Sequence, residues 1–287
     1  NTGDPITAKD YVAMVLLRSS RDWVSIATSA NAGYYLLGFE DYRYGPYTEE
    51  PELDEEDEPT GKMKKVYDDE YTVLDVAFEG VRLISDTKFS LTIDGASLPY
   101  FYEVTMVSSA PLPLDVYLPG YDIEDTADGV KIVKVDEDAA SIAATIANTV
   151  NNPDTGQRYK PTVTSGPYQF VSFENQVVLV EINDNFKATF DGKTPQIKQV
   201  QIMSINQDTN VDQVIQGEVD LVSGVIEGAK IDAAQAATDS VSISSYARNG
   251  YGLLAMTCYY GPTQYAEVRQ AVGFLFSFLE AHFYFLT

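Results

Sequence analysis

The two residue types that most often carry catalysis are nearly absent: the sequence has one histidine, His282, and one cysteine, Cys258. A Ser-His-Asp or Cys-His arrangement needs a histidine held by a third group, and nothing around His282 supplies one. One His and one Cys also leave no zinc or copper site of the usual kinds, and a lone cysteine excludes an intramolecular disulfide. Carboxylates, in contrast, are abundant. Glu49 to Glu58 hold eight in ten positions, but a hard-cation loop needs spaced ligands and a glycine at its bend, and this run has neither. The run reads as a self-repelling solvated loop, a surface insertion partly neutralised by Lys62, Lys64 and Lys65. Among 43 acidic residues a pair at glycosidase spacing arises by chance, and nothing singles one out. Gly250-Tyr251-Gly252 lacks the phosphate-loop pattern and does not open a helix from a strand. What remains is binding chemistry. In Asn249-Gly250-Tyr251, glycine permits close backbone approach, tyrosine offers a stacking face, and asparagine offers a donor and an acceptor. Arg248 beside them can pair with a ligand carboxylate or form a surface salt bridge. The same residues also suit an ordinary turn before a strand. No catalytic residue, metal or cofactor is expected.

The elements that must position these residues are legible from spacing. Thr7 caps a helix, with Asp10 three positions on as in a shortened capping box and Val12, Val15 and Leu16 as its apolar face, running to about Arg18. An aromatic stretch from Trp23 to Tyr47 reads as a loop with short helical turns. Val81 to Ile84 and Phe89 to Ile93 flank a hairpin turn at Ser85-Asp86-Thr87-Lys88. Asp122 to Asp138 is acidic and is expected at the surface. Ala139 to Val150 is helical by its alanines and by the spacing of Ile142 and Ile146. Asn151-Asn152-Pro153-Asp154-Thr155-Gly156 ends it with turn chemistry. Residues 161 to 222 then read as turn, strand, hairpin, strand, short helix and strand. Ser165-Gly166-Pro167 marks the turn, Gln176 to Ile182 and Gln199 to Ser204 the strands, Asp208 to Gln216 the helix, and Gly217 to Val222 the last strand. A helix over Val225 to Ala237, strands over Val241 to Ser244 and Leu253 to Cys258, and a helix over Tyr265 to Phe276 complete the pattern.

In that order these segments resemble the family 5 extracellular solute-binding proteins, the peptide-, dipeptide- and nickel-binding subunits of ABC importers. The motifs are Asp4-Pro5-Ile6-Thr7-Ala8-Lys9-Asp10-Tyr11-Val12, Gly166-Pro167-Tyr168-Gln169-Phe170, Asn183-Asp184-Asn185-Phe186, Gly192-Lys193-Thr194-Pro195, Gly217-Glu218-Val219-Asp220 and Val268-Arg269-Gln270-Ala271-Val272. Asp184 stands where the family has proline. Past Phe276 the pattern departs, and an aromatic tail replaces the family's acidic and basic residues. The resemblance implies an α/β, periplasmic-binding-protein-like fold (type II, cluster C). It also implies a fragment truncated at both ends, with its export signal missing and its second binding lobe largely missing. The expected domains are a small lobe over 1–157, the mixed-sheet part of binding lobe I over 158–262, and the start of a second lobe over 263–287. It places Arg248, Asn249, Gly250 and Tyr251 at the crossing between lobes as ligand-binding residues. The implied function is delivery of short peptides to ABC permease subunits without catalysis, by a monomer that is lipid-anchored outside the cell membrane or periplasmic. Nickel complexes, oligosaccharides or opines are alternative cargo, and a signalling or chaperone-like peptide binder on the same fold is an alternative role.

Composition agrees in what it excludes. With 19 basic and 43 acidic residues the formal charge is −24. Such a surface repels phosphate backbones and anionic lipid, so neither nucleic acid nor direct membrane insertion is expected. No run of about 18 apolar residues could span a bilayer. The 20 tyrosines and 13 phenylalanines suit ordinary packing, and they also suit a carbohydrate or peptide cleft, because Tyr joins an apolar face to a polar tip.

Overall fold

Helix α1, Ala8–Ser19, starts where Asp10 reaches back: its carboxylate accepts from the Thr7 N–H at 2.7 Å and from the Thr7 hydroxyl at 3.1 Å. The capping box is therefore real. The burial is wider than a single stripe, since Val12 to Leu17 are all buried. A helix that is apolar on nearly every side belongs inside a core, and α1 touches the next three helices and the first core hairpin. The structure, a computed structural model, describes residues 4–27, 32–53, 58–68, 70–100, 103–246 and 254–283. They fall into two compact units, one within Asn1–Ser204 and the other within Ile205–Thr287.

In the first unit α1 is followed by α2, Arg21–Ala27, and α3, Phe39–Tyr44, so the aromatic stretch does contain short helices. An antiparallel hairpin comes next, β1 Tyr47–Leu53 with β2 Pro59–Tyr67. This corrects the solvated-loop reading of the acidic run. Glu49 faces Lys65 and Glu50 faces Lys64 across the ladder, and opposite charges directly opposed stabilise a strand pair. Residues 54–57 lie outside the described residues. β3, Val81–Ser85, and β4, Lys88–Leu91, form the hairpin expected around Asp86-Thr87. After a 3₁₀ turn at Glu103–Val107 and the short helix α4, Leu114–Tyr117, comes a third hairpin, β5 Tyr121–Thr126 with β6 Gly129–Lys134.

That third hairpin corrects the surface reading of residues 122 to 138. Glu124 faces outward and Asp125 lies exposed near the strand's end, while Tyr121, Ile123, Val130 and Ile132 enter the core. Alternation at period two, not net charge, decides which face is buried. Asp125 turns back to brace β3, accepting from Arg82 Nη2 at 2.7 Å and from the Leu83 N–H at 3.2 Å. At the centre lies Phe78, fully buried, bridged through its backbone to Val130 and stacked on Tyr42 with ring centroids 4.7 Å apart. Gly129 is obligatory beside it, because φ is +131° and an added Cβ would sit 2.3 Å from the Phe78 carbonyl oxygen. Helix α5, Ile142–Asn151, covers this core with Ile142, Ile146 and Val150, and Asn151 Nδ2 ties it to α2 at the Ile26 carbonyl, 2.5 Å away.

A three-stranded antiparallel sheet completes the unit: β7 Tyr168–Glu174, β8 Val177–Ile182 and β9 Gln199–Met203, in the order β7-β8-β9. Strands β8 and β9 stand where the sequence pattern places them. β7 falls in the stretch read as a turn. Its connection to β8 is a two-residue turn in which Asn175 and Gln176 both take positive φ, at 50° and 64°. Without a glycine there, no hairpin signal was present to separate the two strands.

The second unit holds α6 Asn210–Gln216, α7 Gly228–Ala236, a 3₁₀ turn at Pro262–Gln264, and α8 Ala266–Phe283. Gly217, with φ +75°, ends α6 as a left-handed cap. The strands expected over 217–222, 241–244 and 254–258 are absent among the described residues, and Leu254 is exposed. An extended apolar run becomes a strand only when a neighbour takes its hydrogen bonds, and no described strand pairs with these runs. Helix α8 runs past Phe276 through the aromatic tail as far as Phe283.

Candidate functional site

The first unit holds an open cleft of about 1080 Å³. One wall is the start of α1, where Thr7 and Asp10 sit, continued down the helix to Met14 and Arg18. A second is the segment from Ala110 to Tyr117. The third comprises Val163 to Gly166 and Asn183 to Lys187. The Ala110 segment is strapped to the helix: the Leu112 N–H donates to the Asp10 carbonyl at 3.0 Å, and the Ser109 hydroxyl donates to the Tyr11 carbonyl at 3.2 Å.

Asn183 builds the third wall. It is buried, its amide nitrogen donates to the carbonyls of Gly166 at 3.0 Å and Thr164 at 3.4 Å, and its side-chain oxygen accepts from the Asn185 N–H at 3.1 Å. One side chain thus fixes both the turn before β7 and the turn after β8. The Ser-Gly-Pro turn does not draw on left-handed glycine, since Gly166 is not among the positive-φ residues. The pin from Asn183 takes that role. At the far end, the Gln157 amide brackets Thr162, donating to its hydroxyl at 2.9 Å and accepting from its N–H at 3.0 Å. Arg158 Nη1 reaches Asn151 Oδ1 at 3.4 Å. Gly156 lets this turn close, because a Cβ there would meet the Val150 carbonyl at 2.4 Å.

The chemistry of the lining is mixed. Trp23 contributes a ring, with the Arg18 guanidinium 6.0 Å from its centroid. Burial pushes the Tyr117 phenol above its ordinary range, while the positive charge of Arg18 pulls it the other way. Asp4, Asp115, Arg158 and Lys187 bring both signs of charge to the rim. Such a cleft can hold a polar, zwitterionic molecule by opposite charges, main-chain groups and one aromatic wall. Among the described residues, no group of three His, Cys, Asp or Glu is placed to hold a metal ion. Cys258 is exposed and free.

The residues singled out from sequence, Arg248, Asn249, Gly250 and Tyr251, lie outside the described residues. The cleft itself was not singled out, because it gathers residues from Asp4 to Lys187 whose types are individually ordinary. The signal that could have found one wall was Asn183, a motif asparagine placed directly after a strand.

The family model described as bacterial extracellular solute-binding proteins, family 5 Middle, matches residues 1–276. The chain belongs to that family. For a family 5 solute-binding protein the mixed α/β content is as expected, and the family fold is periplasmic-binding-protein-like. Family 5 proteins bind a small-molecule solute for an ABC importer, interact with its permease, and work in a periplasmic or extracellular location, generally without catalysis. No helix among the described residues is long and apolar enough to cross a membrane. Comparison with curated proteins and with solved structures gave no match.

Proposed function

We propose that this solute-binding protein captures short peptides outside the cell membrane and hands them to the permease of an ABC importer. The family match over residues 1–276 carries the reading. The cleft supports the peptide class: a short peptide is a zwitterion with a hydrogen-bonding backbone, and the cleft offers Asp4 and Asp115, Arg158 and Lys187, and the backbone of its third wall. We assign Arg248, Asn249, Gly250 and Tyr251 to ligand contact as well, from their donor, acceptor and stacking chemistry. In this reading residues 1–157 form a small lobe, 158–262 belong to binding lobe I, and 263 onward opens a second lobe. The arrangement is that of type II, cluster C, and the lobes close on ligand by a hinge. A lipid anchor or the periplasm keeps the protein at the membrane.

The test is thermal unfolding in the presence of a di- to hexapeptide library. A ligand that binds only the native state stabilises it by about 2.7 kcal/mol at a hundredfold excess over Kd. The expected result is a rise in midpoint with peptides, reduced in Lys187→Glu while the ligand-free midpoint stays within a degree or so, because Lys187 is exposed. Silence with peptides and a rise with oligosaccharides or nickel complexes would replace the cargo and keep the family.

A further inference from the structure

Helix α3 sorts its six residues by face. Phe39, Tyr42 and Arg43 are buried; Glu40, Asp41 and Tyr44 are exposed. Tyr44 then continues into an aromatic ribbon. Its ring lies 5.1 Å from Tyr67, which lies 5.7 Å from its cross-strand partner Tyr47 at the base of the β1–β2 hairpin. On the other side Tyr34 packs on Phe39 at 5.5 Å. Core aromatics would be hidden, yet Tyr34, Tyr44 and Tyr47 are 56%, 41% and 40% exposed. None of these residues lines the cleft.

The ribbon already holds cations of its own. The Arg43 guanidinium sits 5.5 Å from the rings of both Phe39 and Tyr44. The Lys65 ammonium lies 4.4 Å above Tyr47 and donates to Glu40 Oε2 at 2.6 Å. A tyrosine face with a carboxylate beside it is the arrangement that receives an ammonium or guanidinium, through the ring quadrupole and a charge-assisted hydrogen bond. Around it, among the described residues, the carboxylates of Glu40, Asp41, Glu49, Glu50, Glu52 and Glu58 outnumber Lys62, Lys64 and Lys65, on a chain whose formal charge is −24. Glu49, Glu50 and Glu58 are exposed, and Glu52 is half-buried.

We propose that this tyrosine and carboxylate surface, from Tyr34 across Tyr44 and Tyr47 to the β1–β2 hairpin, docks a lysine- and arginine-rich segment of a partner protein. Charge complementarity selects that occupant. A single small ammonium would need one ring, whereas rings and carboxylates here are strung along a helix face and a hairpin, matching several cations along one extended chain. Lys65 occupies one of the receiving positions and is an internal competitor.

The experiment is calorimetric titration of the full chain with a ten-residue Lys/Arg peptide at fixed 150 mM salt, beside a neutral Gly/Ser peptide and a neutral β-linked glucose oligosaccharide. Tyr44→Leu with Tyr47→Leu leaves net charge unchanged, and the expected loss is about tenfold in affinity, the sum of two exposed cation–π contacts. Glu49→Gln with Glu50→Gln is expected to weaken binding several-fold. Glu124→Gln with Asp138→Asn removes the same charge from another surface and is expected to leave binding within about twofold. Lys65→Met is expected to tighten binding roughly threefold by freeing Tyr47 and Glu40, more than Lys62→Met, which removes the same charge from the same strand without freeing a ring. Equal affinities for wild type and the tyrosine pair would overturn the proposal, since binding would then follow net charge alone. So would weaker binding by Lys65→Met, no binding of the cationic peptide by the wild type, or binding of the neutral oligosaccharide in its place. Should the tyrosine pair fail to fold, Lys65→Met and the two glutamine pairs still decide the question.

Discussion

The hairpins β3–β4 and β5–β6 and the sheet β7–β8–β9 are made of the same material, and they end in different states. In the first region Phe78, Val81, Val130 and Ile132 are fully removed from solvent beneath α1 and α5. In the second no strand residue is buried at all, and β8 is half-buried from Val177 to Ile182. Register places Tyr168, Phe170 and Phe173 beside Ile182, Val180 and Val178, with Val200 and Ile202 on the far strand, so one face of the sheet is wholly apolar. Hydrogen-bonded pairing alone gives a strand its shape. A fully dry interior requires a second layer, which α1 supplies to the first region. The two regions should therefore differ in how much each side chain contributes to stability.

The sharpest way to break that comparison is a matched pair of truncations. Phe78→Ala removes a ring packed against Tyr42 and Phe39 and should lower the unfolding free energy by about 3–5 kcal/mol. Phe173→Ala removes a ring that is 60% exposed, and its cost should stay below about 1 kcal/mol. Urea titration of both variants measures the difference. Equal losses would mean that the apolar face of the sheet is covered in solution as thoroughly as the core around Phe78.

Asn183→Ala sharpens the same contrast at a polar position. Asn183 is the one fully enclosed side chain at the end of β8, and it holds the third wall of the cleft through the carbonyls of Thr164 and Gly166. Its loss should cost about 1–3 kcal/mol, the penalty for leaving buried groups unsatisfied. The damage should be local. Hydrogen exchange should quicken at β7 and β8 while amides of α1 and β6 keep their protection. A uniform loss of protection would show that sheet and core unfold as one cooperative unit.

Most of the elements were legible because they follow local rules. The Thr7–Asp10 cap, the hairpin turn at Asp86-Thr87, the spacing of Ile142 and Ile146, and the β-branched run of β8 each act over fewer than about eight residues. The misreadings have one common cause. Charge was taken for loop in residues 49–58 and for surface in 122–138, yet the described parts of both runs lie in hairpins, one an exposed strand pair that sets glutamates against lysines and the other sending Ile123, Val130 and Ile132 into the core. Neither pairing is visible until the register is known. The strands expected near Val219, Ile243 and Ala255 failed for the converse reason, since their pattern was apolar but no strand among the described residues pairs with them. The cleft was the least legible feature. Its walls meet across more than 150 positions of chain, from Asp10 to Lys187, and only Asn183 announced itself.

The smallest predicted effect asks whether charge adds anything where burial already dominates. Lys9 on α1 pairs with Asp122 on β5, both carrying side chains about 40% exposed. Partial burial raises the Asp122 pKa, but the hydrogen bond from Lys9, the N–H of Ile123 and the Lys9 charge together bring it below the ordinary value of 3.8. A carboxylate whose folded pKa is depressed stabilises the native state fully at pH values above the unfolded pKa. That contribution fades as pH falls through the folded pKa, because the native state then takes up the proton it had resisted. Solvent screening keeps the pair within about 0–1 kcal/mol. Lys9→Met should therefore be slightly less stable than wild type at pH 6, and the gap should close steadily below pH ~4. Chemical denaturation midpoints taken from pH 6 down to pH 2 would record that convergence. A gap that stays constant to pH 2 would reassign the role of Lys9 to packing of its aliphatic stem, and burial would then account for this region without help from its charges.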